Sequence, residues 1–381
     1  MASTARTLFK AGDVVGARLQ LTSETRRLGE IELLARIDYL QGRYPAASVG
    51  FRQLIESRQT LPLHRYRARR QLSLALFQEN RFEEAARLPL RDPMSRLMRS
   101  FRGEPNRIIW SNVSRVELPF LQQANWELPR VAVVANGEPI VAKIDTGGDL
   151  FSLPFPVAER LGIAAVATST GWFAGSRRAR IAYGILDQLD LGHATIENVP
   201  ISINSFNDAV IGTGLLRQFL PTLDYKSRHL VLLPRSRRLN PAGFPFLLAG
   251  THLLISAGML NEHAMTFLVD SGLEVTNEAA FLAPESRLRT AGIRVPKTSR
   301  IKGNSGAGQT KLNIGEFAIH HLGLGSASRE HMVGLTGIFP KQLARPGAIG
   351  FPIDGLVSHN FLRHYRWTID FDQMGMTLAS P

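Results

Sequence analysis

The chain has 381 residues, 44% of them hydrophobic and none of them cysteine. That is enough for two or three domains that each bury a core, and it excludes disulfides, thiolate nucleophiles and cysteine-ligated zinc. The formal charge of +13 comes mostly from arginines set singly or in pairs, such as Arg69-Arg70 and Arg237-Arg238; with no long basic block and no nucleic-acid motif, it reads as a solvated surface, and no nucleic-acid partner is expected.

Residues 1–105 read as a helical domain. Apolar positions recur at helical spacing from Ile31 to Leu40 and again from Leu72 to Phe77. Each run meets a polar turn, Gly42-Arg43 or Glu79-Asn80-Arg81, and then a second helix containing small residues, Ala46 and Ala47 or Ala85 and Ala86. Ala47 and Ala85 are 38 residues apart, close to the helix-hairpin period of about 34, so a short tetratricopeptide-like array is expected. The residue pattern of that repeat is incomplete, which leaves an unrelated helical bundle as the alternative. Residues 106–127 read as a linker.

From Val131 the texture changes to short β-rich runs. Val131 to Ala135, then Asn136-Gly137, then Ile140 to Ile144 predicts a hairpin, with Asn-Gly supplying the two positive-φ turn residues. Leu253 to Ile255, a turn around Asn261, and Met265 to Val269 predict a second one. Each asparagine precedes an aspartate, Asp145 or Asp270, by nine residues. Farther on, Ala209 to Phe219 with Thr222 to Leu233 parallels Gly355 to Tyr365 with Thr368 to Leu378; each reads as a strand, a short helix and a hairpin. An internal duplication follows: one β domain over 128–235, a proline-containing linker over 236–250, and a second β domain over 251–381.

The phrase Lys143-Ile144-Asp145-Thr146-Gly147 returns as Leu268-Val269-Asp270-Ser271-Gly272. A lone tripeptide of this kind is common in turns; the duplication, the apolar strand before it and the matching downstream element carry the reading. Over residues 128–380 the chain resembles the retropepsin-like aspartic proteases, as two tandem copies in one chain arranged as in pepsin. The resemblance implies a multidomain α plus all-β chain, with a helical-repeat domain followed by two closed β-barrel domains. It implies that Asp145 and Asp270 form a catalytic dyad, that Thr146 and Ser271 brace the two loops, and that Gly147 and Gly272 let the backbones turn beside each other. It also implies flaps over the substrate, for which Trp172, Phe173 and Gly175 are the candidates in the first copy and Gly306 and Gly308 in the second. A hydroxyl at the sixth position past the aspartate is met by Thr276, whereas the first copy has Phe151 there and Ser152 one place later. The supporting glycine is met by Gly212, whereas the second copy has Ser358.

Two carboxyls at hydrogen-bonding distance share one proton, so one can take a proton from water while the other donates to the peptide carbonyl. The expected activity is that of an aspartic endopeptidase acting on a polypeptide, with no cofactor and no metal, and with the helical domain docking substrate or a protein partner. The other reading is a weak or inactive protease-like scaffold that binds peptides. A dyad completed within one chain implies a monomer.

Three decoys are set aside. Gly303 to Thr310 mimics a phosphate loop but has Gln309 where the lysine belongs, His359 and His364 are five apart, and His320 and His321 point to opposite strand faces. No apolar run reaches the roughly 18 to 20 residues of a membrane span, and no signal-peptide core follows Met1. The location is left open: cytoplasmic if the sequence is complete, periplasmic or otherwise exported if a leader has been removed.

Overall fold

The computed structural model describes residues 2–21, 27–121, 128–173, 177–273, 279–305, 308–347 and 349–380. The N-terminal part is helical: α1 (Ala2–Lys10), α2 (Val14–Leu19), α3 (Leu28–Leu40), α4 (Tyr44–Glu56), α5 (Pro62–Gln78), α6 (Phe82–Ala86) and α7 (Pro93–Arg99). Helix starts follow local chemistry. Proline stands in the first turn of α4, α5 and α7, where its missing N–H costs nothing. Asp13 and Asp92 cap α2 and α7 by accepting the N–H of Gly16 and Ser95. Successive helices pack as hairpins, and Ala47 and Ala85 are fully buried within them. A side chain on Gly50 would come within 2.8 Å of the Ala35 Cβ, so α3 and α4 approach closely because this position is glycine.

The next stretch holds β1 (Arg107–Trp110), β2 (Val116–Pro119), β3 (Arg130–Ala135), β4 (Glu138–Ile144) and β5 (Phe151–Pro154). It continues through α8 (Phe155–Arg160), β6 (Ala167–Phe173), β7 (Arg177–Leu191), β8 (Ala194–Asn204) and β9 (Ala209–Ile211). It ends with α9 (Thr213–Leu216), β10 (Phe219–Asp224) and β11 (His229–Pro234). Strand pairing runs β3-β4-β9-β5-β8-β7 and returns to β3, which closes a six-stranded barrel. Its two parallel contacts, β4–β9 and β5–β8, place the short β9 beside the end of β4.

The remainder begins with β12 (Phe244–Pro245), β13 (Leu247–Ala249), β14 (Leu253–Leu260), β15 (His263–Val269), β16 (Ala279–Leu282) and α10 (Glu285–Thr290). Then come β17 (Ser299–Ser305), β18 (Gly308–Leu324), β19 (Ala327–Thr336), β20 (Gly355–Val357), α11 (His359–Leu362), β21 (Arg366–Asp370) and β22 (Gly375–Ala379). Here the pairing runs β14-β15-β20-β16-β19-β18 and back to β14. The order and the parallel contacts, β15–β20 and β16–β19, match those of the first ring.

A third sheet, β12-β22-β21-β10-β11-β2, joins the two rings. Its central contact is antiparallel pairing of β10 with β21, where the hydroxyls of Thr222 and Thr368 lie 2.7 Å apart. The hairpins β10–β11 and β21–β22 thus pair with each other. One apolar core runs continuously through the first ring, this sheet and much of the second ring, from Val131 and Ile144 to Phe219, Phe267 and Trp367.

The stretches expected to be linkers carry short edge strands. Within 106–127, β1 pairs with β8 and β2 with β11; within 236–250, β12 pairs with β22 and β13 with β14. Proline and polar residues marked these stretches as breaks, but strands of two to four residues at sheet edges tolerate that composition.

The helices dock on both rings. Phe9, Ala17, Leu33 and Ile37 share a core with Ile255, Leu268, Phe351 and Leu356 of the second ring. The other side of α3, Ala35 and Tyr39, shares a core with α4 to α7 and with Leu150, which follows the Asp145 turn. The end of α5 is held from two directions. Arg217, 2% exposed, donates to the carbonyls of Gln78 at 2.6 Å and Phe77 at 3.0 Å and lies over the Phe77 ring. Gln78 in turn donates to the carbonyls of Gly250 and Thr251 at 3.3 and 3.4 Å, and the Tyr39 hydroxyl donates to Gly250 as well. Burial lowers the pKa of Arg217 to about 10, so it stays charged at neutral pH. Arg217→Met keeps the volume but strands two buried carbonyls; it is expected to cost about 2–3 kcal/mol in urea denaturation, whereas the exposed pair member Arg87→Met is expected to be near neutral.

Candidate active site

Asp145 and Asp270 are set by the two hairpins. Asn136 and Gly137 adopt φ of +45° and +83° in the β3–β4 turn, and Asn261 adopts +54° in the β14–β15 turn. Both asparagines also pin their turns to the long strand beside them. The Asn136 side chain accepts the N–H of Gln188, and the Asn261 side chain accepts the N–H groups of His320 and His321. The shared nine-residue register therefore has a shared cause: turn, strand and aspartate are fixed as one unit.

Each aspartate N–H donates at 3.0 Å to the neighbouring short strand, Asp145 to the carbonyl of Ile211 and Asp270 to that of Val357. Each carboxylate accepts the N–H two residues on, at 2.8 Å, from Gly147 or Gly272. The loops then lock reciprocally. The Thr146 N–H donates to Ser271 Oγ at 3.0 Å, and the Ser271 N–H donates to Thr146 Oγ1 at 3.0 Å. The hydroxyls donate onward, Thr146 to the carbonyl of Val269 at 3.3 Å and Ser271 to that of Ile144 at 3.5 Å. Both residues are fully buried.

This closeness demands glycine beside it. A Cβ on Gly147 would lie 2.5 Å from Asp270 Oδ1, and one on Gly272 would lie 1.9 Å from the Asp145 carboxylate. The two carboxyls are close enough for each to act on the other's titration. Burial raises the pKa of both. Asp270 is raised further by the charge of Asp145, while Asp145 is held down by the Gly147 N–H, by Asp270 and by His252. The two carboxyls therefore titrate as a pair and hold one proton in common.

The two departures have local explanations. Phe151 is wholly buried in the core through β5, and Ser152 faces Ser202 at 2.5 Å, so neither offers a hydroxyl to Asp145. At the other, Ser358 is buried, donates to the carbonyl of Ala279 at 2.6 Å and caps α11 by accepting the Asn360 N–H. In the first ring Gly212 holds that place because a Cβ there would meet the Leu150 carbonyl at 2.4 Å. Thr213, next to it, donates to the carbonyl of Thr146 at 2.8 Å and so supports the loop from below.

Trp172 and Phe173 lie in β6, where they pair with Arg178 and Arg177 of β7; α7 packs against both strands. Gly308 opens β18 and pairs with Ser305. Gly175, Gly306 and Thr276 lie outside the described residues. Gly303 lies in β17 and Gly308 opens β18, two paired strands, which gives a phosphate no helix terminus to bind. His359 is buried against the Tyr225 ring, and no cluster of three metal-ligating side chains occurs among the described residues.

Two neighbours were not anticipated from sequence. His252 stands within electrostatic reach of Asp145 and Asp149; burial lowers its pKa, while the two acids raise it. Its Nδ1 is 3.0 Å from Thr251 Oγ1, in the turn held by Tyr39 and Gln78. Asp149, four residues after Asp145, accepts the N–H of Leu150 at 2.8 Å and the hydroxyl of Ser202 at 3.4 Å. Nothing in the sequence near Asp145 points to residue 252.

A family model described as aspartyl protease matches residues 131–218, the segment from β3 to just past α9 that contains Asp145. Among solved structures, the chain is similar to a retropepsin-like aspartic protease from Rickettsia conorii, at 14% identity over 35% of this chain and 94% of that one, with a TM-score of 0.25. It is also similar to basic 7S globulin from soybean, at 10% identity over 71% and 95% of the two chains, with a TM-score of 0.36. A third similar structure is EIAV protease complexed with the inhibitor HBY-793, at 14% identity over 26% and 92%, with a TM-score of 0.21. No curated protein matches the chain.

Two outcomes follow from the geometry. Thr146→Val leaves the Ser271 N–H without its acceptor and is expected to destabilise the fold by about 1–3 kcal/mol in chemical denaturation. Because the folded pKa of Asp270 is raised, the stability it contributes is present below the ordinary carboxylate range and is lost as pH rises through the raised value. Asp270→Asn removes that loss, so its melting temperature relative to the parent is expected to climb from about pH 4 upward.

Proposed function

We propose that this chain is an aspartic endopeptidase whose two tandem retropepsin-like domains, 128–235 and 251–381 with the edge strands around them, each supply one aspartate. The reciprocal Thr146–Ser271 bonding carries the reading, because it locks together the two loops that bear the aspartates. The pair is complete within one chain, so a monomer suffices.

In this mechanism the charged Asp145 takes a proton from a water as the water attacks the scissile peptide carbonyl. Asp270 donates its proton to the carbonyl oxygen, and the tetrahedral intermediate collapses as a proton passes to the leaving amine. The hairpins β6–β7 and β17–β18 act as flaps over the polypeptide substrate. The helices act as a docking platform for substrate or a protein partner. They also keep the turn bearing His252 beside Asp145. A peptide-binding scaffold with little or no activity is the second reading, favoured by one observation: Phe151 leaves Asp145 without the outer hydroxyl that Thr276 would offer Asp270.

Peptide-library cleavage by the purified chain decides between them. Asp145→Asn and Asp270→Asn are each expected to lower kcat by a factor of about a thousand or more. The parent's rate is expected to fall on the acid side as Asp145 becomes protonated and on the basic side as Asp270 loses its proton. Full turnover by either variant refutes the shared dyad, and binding of peptides without cleavage at any pH supports the scaffold.

A further inference from the structure

We infer that the stripe at the start of α5 is a docking surface for an anionic lipid membrane. Leu61, immediately before the helix, and Leu63 and Tyr66 in its first turns are 66%, 56% and 45% exposed. Arg67 and Arg70 are exposed with them, and exposed Arg58 lies in the turn that leads in. Leu63, Tyr66, Arg67 and Arg70 stand at i, i+3, i+4 and i+7, which puts them on one face of the helix. The opposite face, with Ala68, Leu72, Ala75 and Leu76, is buried. Folding therefore uses one side of α5 and leaves the other both apolar and cationic.

The local chemistry does not account for that second side. α5 contains four arginines and no aspartate or glutamate. Cations near a helix N-terminus oppose the helix dipole, so these positions bring no gain to the helix itself. Arg65 is turned onto the carbonyls of Ser57 and Thr60, and the nearby acid Glu32 faces His64 at 3.3 Å. Among the described residues no acidic side chain pairs with Arg58, Arg67 or Arg70.

A membrane surface fits better than a folded partner. Three apolar tips on a convex helix turn offer far less than the roughly 800 Å² per side of a stable protein interface. At the headgroup boundary the same tips insert without a shape-matched partner, and tyrosine keeps its ring apolar and its hydroxyl wet. Each arginine adds attraction to anionic headgroups, and the net charge of +13 draws the whole chain the same way.

Vesicle co-sedimentation of the full chain tests this, with phosphatidylcholine alone and with phosphatidylcholine containing about one-third phosphatidylglycerol. The chain is expected to sediment with the anionic vesicles only. Arg67→Gln with Arg70→Gln is expected to lower partitioning about twenty-fivefold, at about fivefold per charge, and Leu61→Ser with Leu63→Ser about tenfold. Both variants are expected to keep the parent's circular dichroism and melting temperature, since all four side chains are exposed. Absence of sedimentation with anionic vesicles, or undiminished sedimentation of both variants, overturns the inference. Tighter retention on polyglutamate or duplex DNA than on anionic vesicles also overturns it, in favour of an acidic protein or a nucleic acid.

Discussion

The structure turns on four hydrogen-bonding groups: the N–H and hydroxyl of Thr146 and the N–H and hydroxyl of Ser271. Each loop satisfies a buried donor of the other, and a buried donor left unpaired costs more than the bond itself yields. Neither half can move away without exposing both. The carboxyls are held together as a by-product of this exchange, which counters their mutual repulsion by fixing the backbones that carry them. The shared sheet serves the same end at longer range, since the β10–β21 contact ties the strands that follow α9 and α11.

Much of this was legible in the sequence because it is local. The Asn-Gly turn, the nine-residue spacing to Asp145 and the equivalent spacing from Asn261 are consequences of hairpin geometry, and a hairpin is read from adjacent residues. The strand, short helix and hairpin after each aspartate were legible for the same reason. What escaped was pairing across long separations. Nothing in Thr222 or Thr368 announces that each will face the other, and strands as short as β12 carry too little pattern to be seen inside a proline-containing segment. His252 escaped too, since its meaning comes from a turn held by Tyr39 and Gln78, residues far away in the helices.

The residues that depart from the expected pattern are better understood as packing solutions. Phe151 fills core volume where a hydroxyl was expected, and Ser358 caps a helix where glycine was expected. Gly212 is required only in the first ring, where the Leu150 carbonyl occupies the space of a side chain. Leu150 in turn belongs to the helical core, so helix docking and the identity of residue 212 are linked through one residue.

His252 acts on one side only. Two identical chains meeting about an exact twofold axis would hold their proton in two equivalent places, with neither carboxyl distinguished. Here a basic group stands near Asp145, and the symmetry is broken by covalent sequence before any ligand arrives. The two sides of the pair are therefore chemically different from the outset.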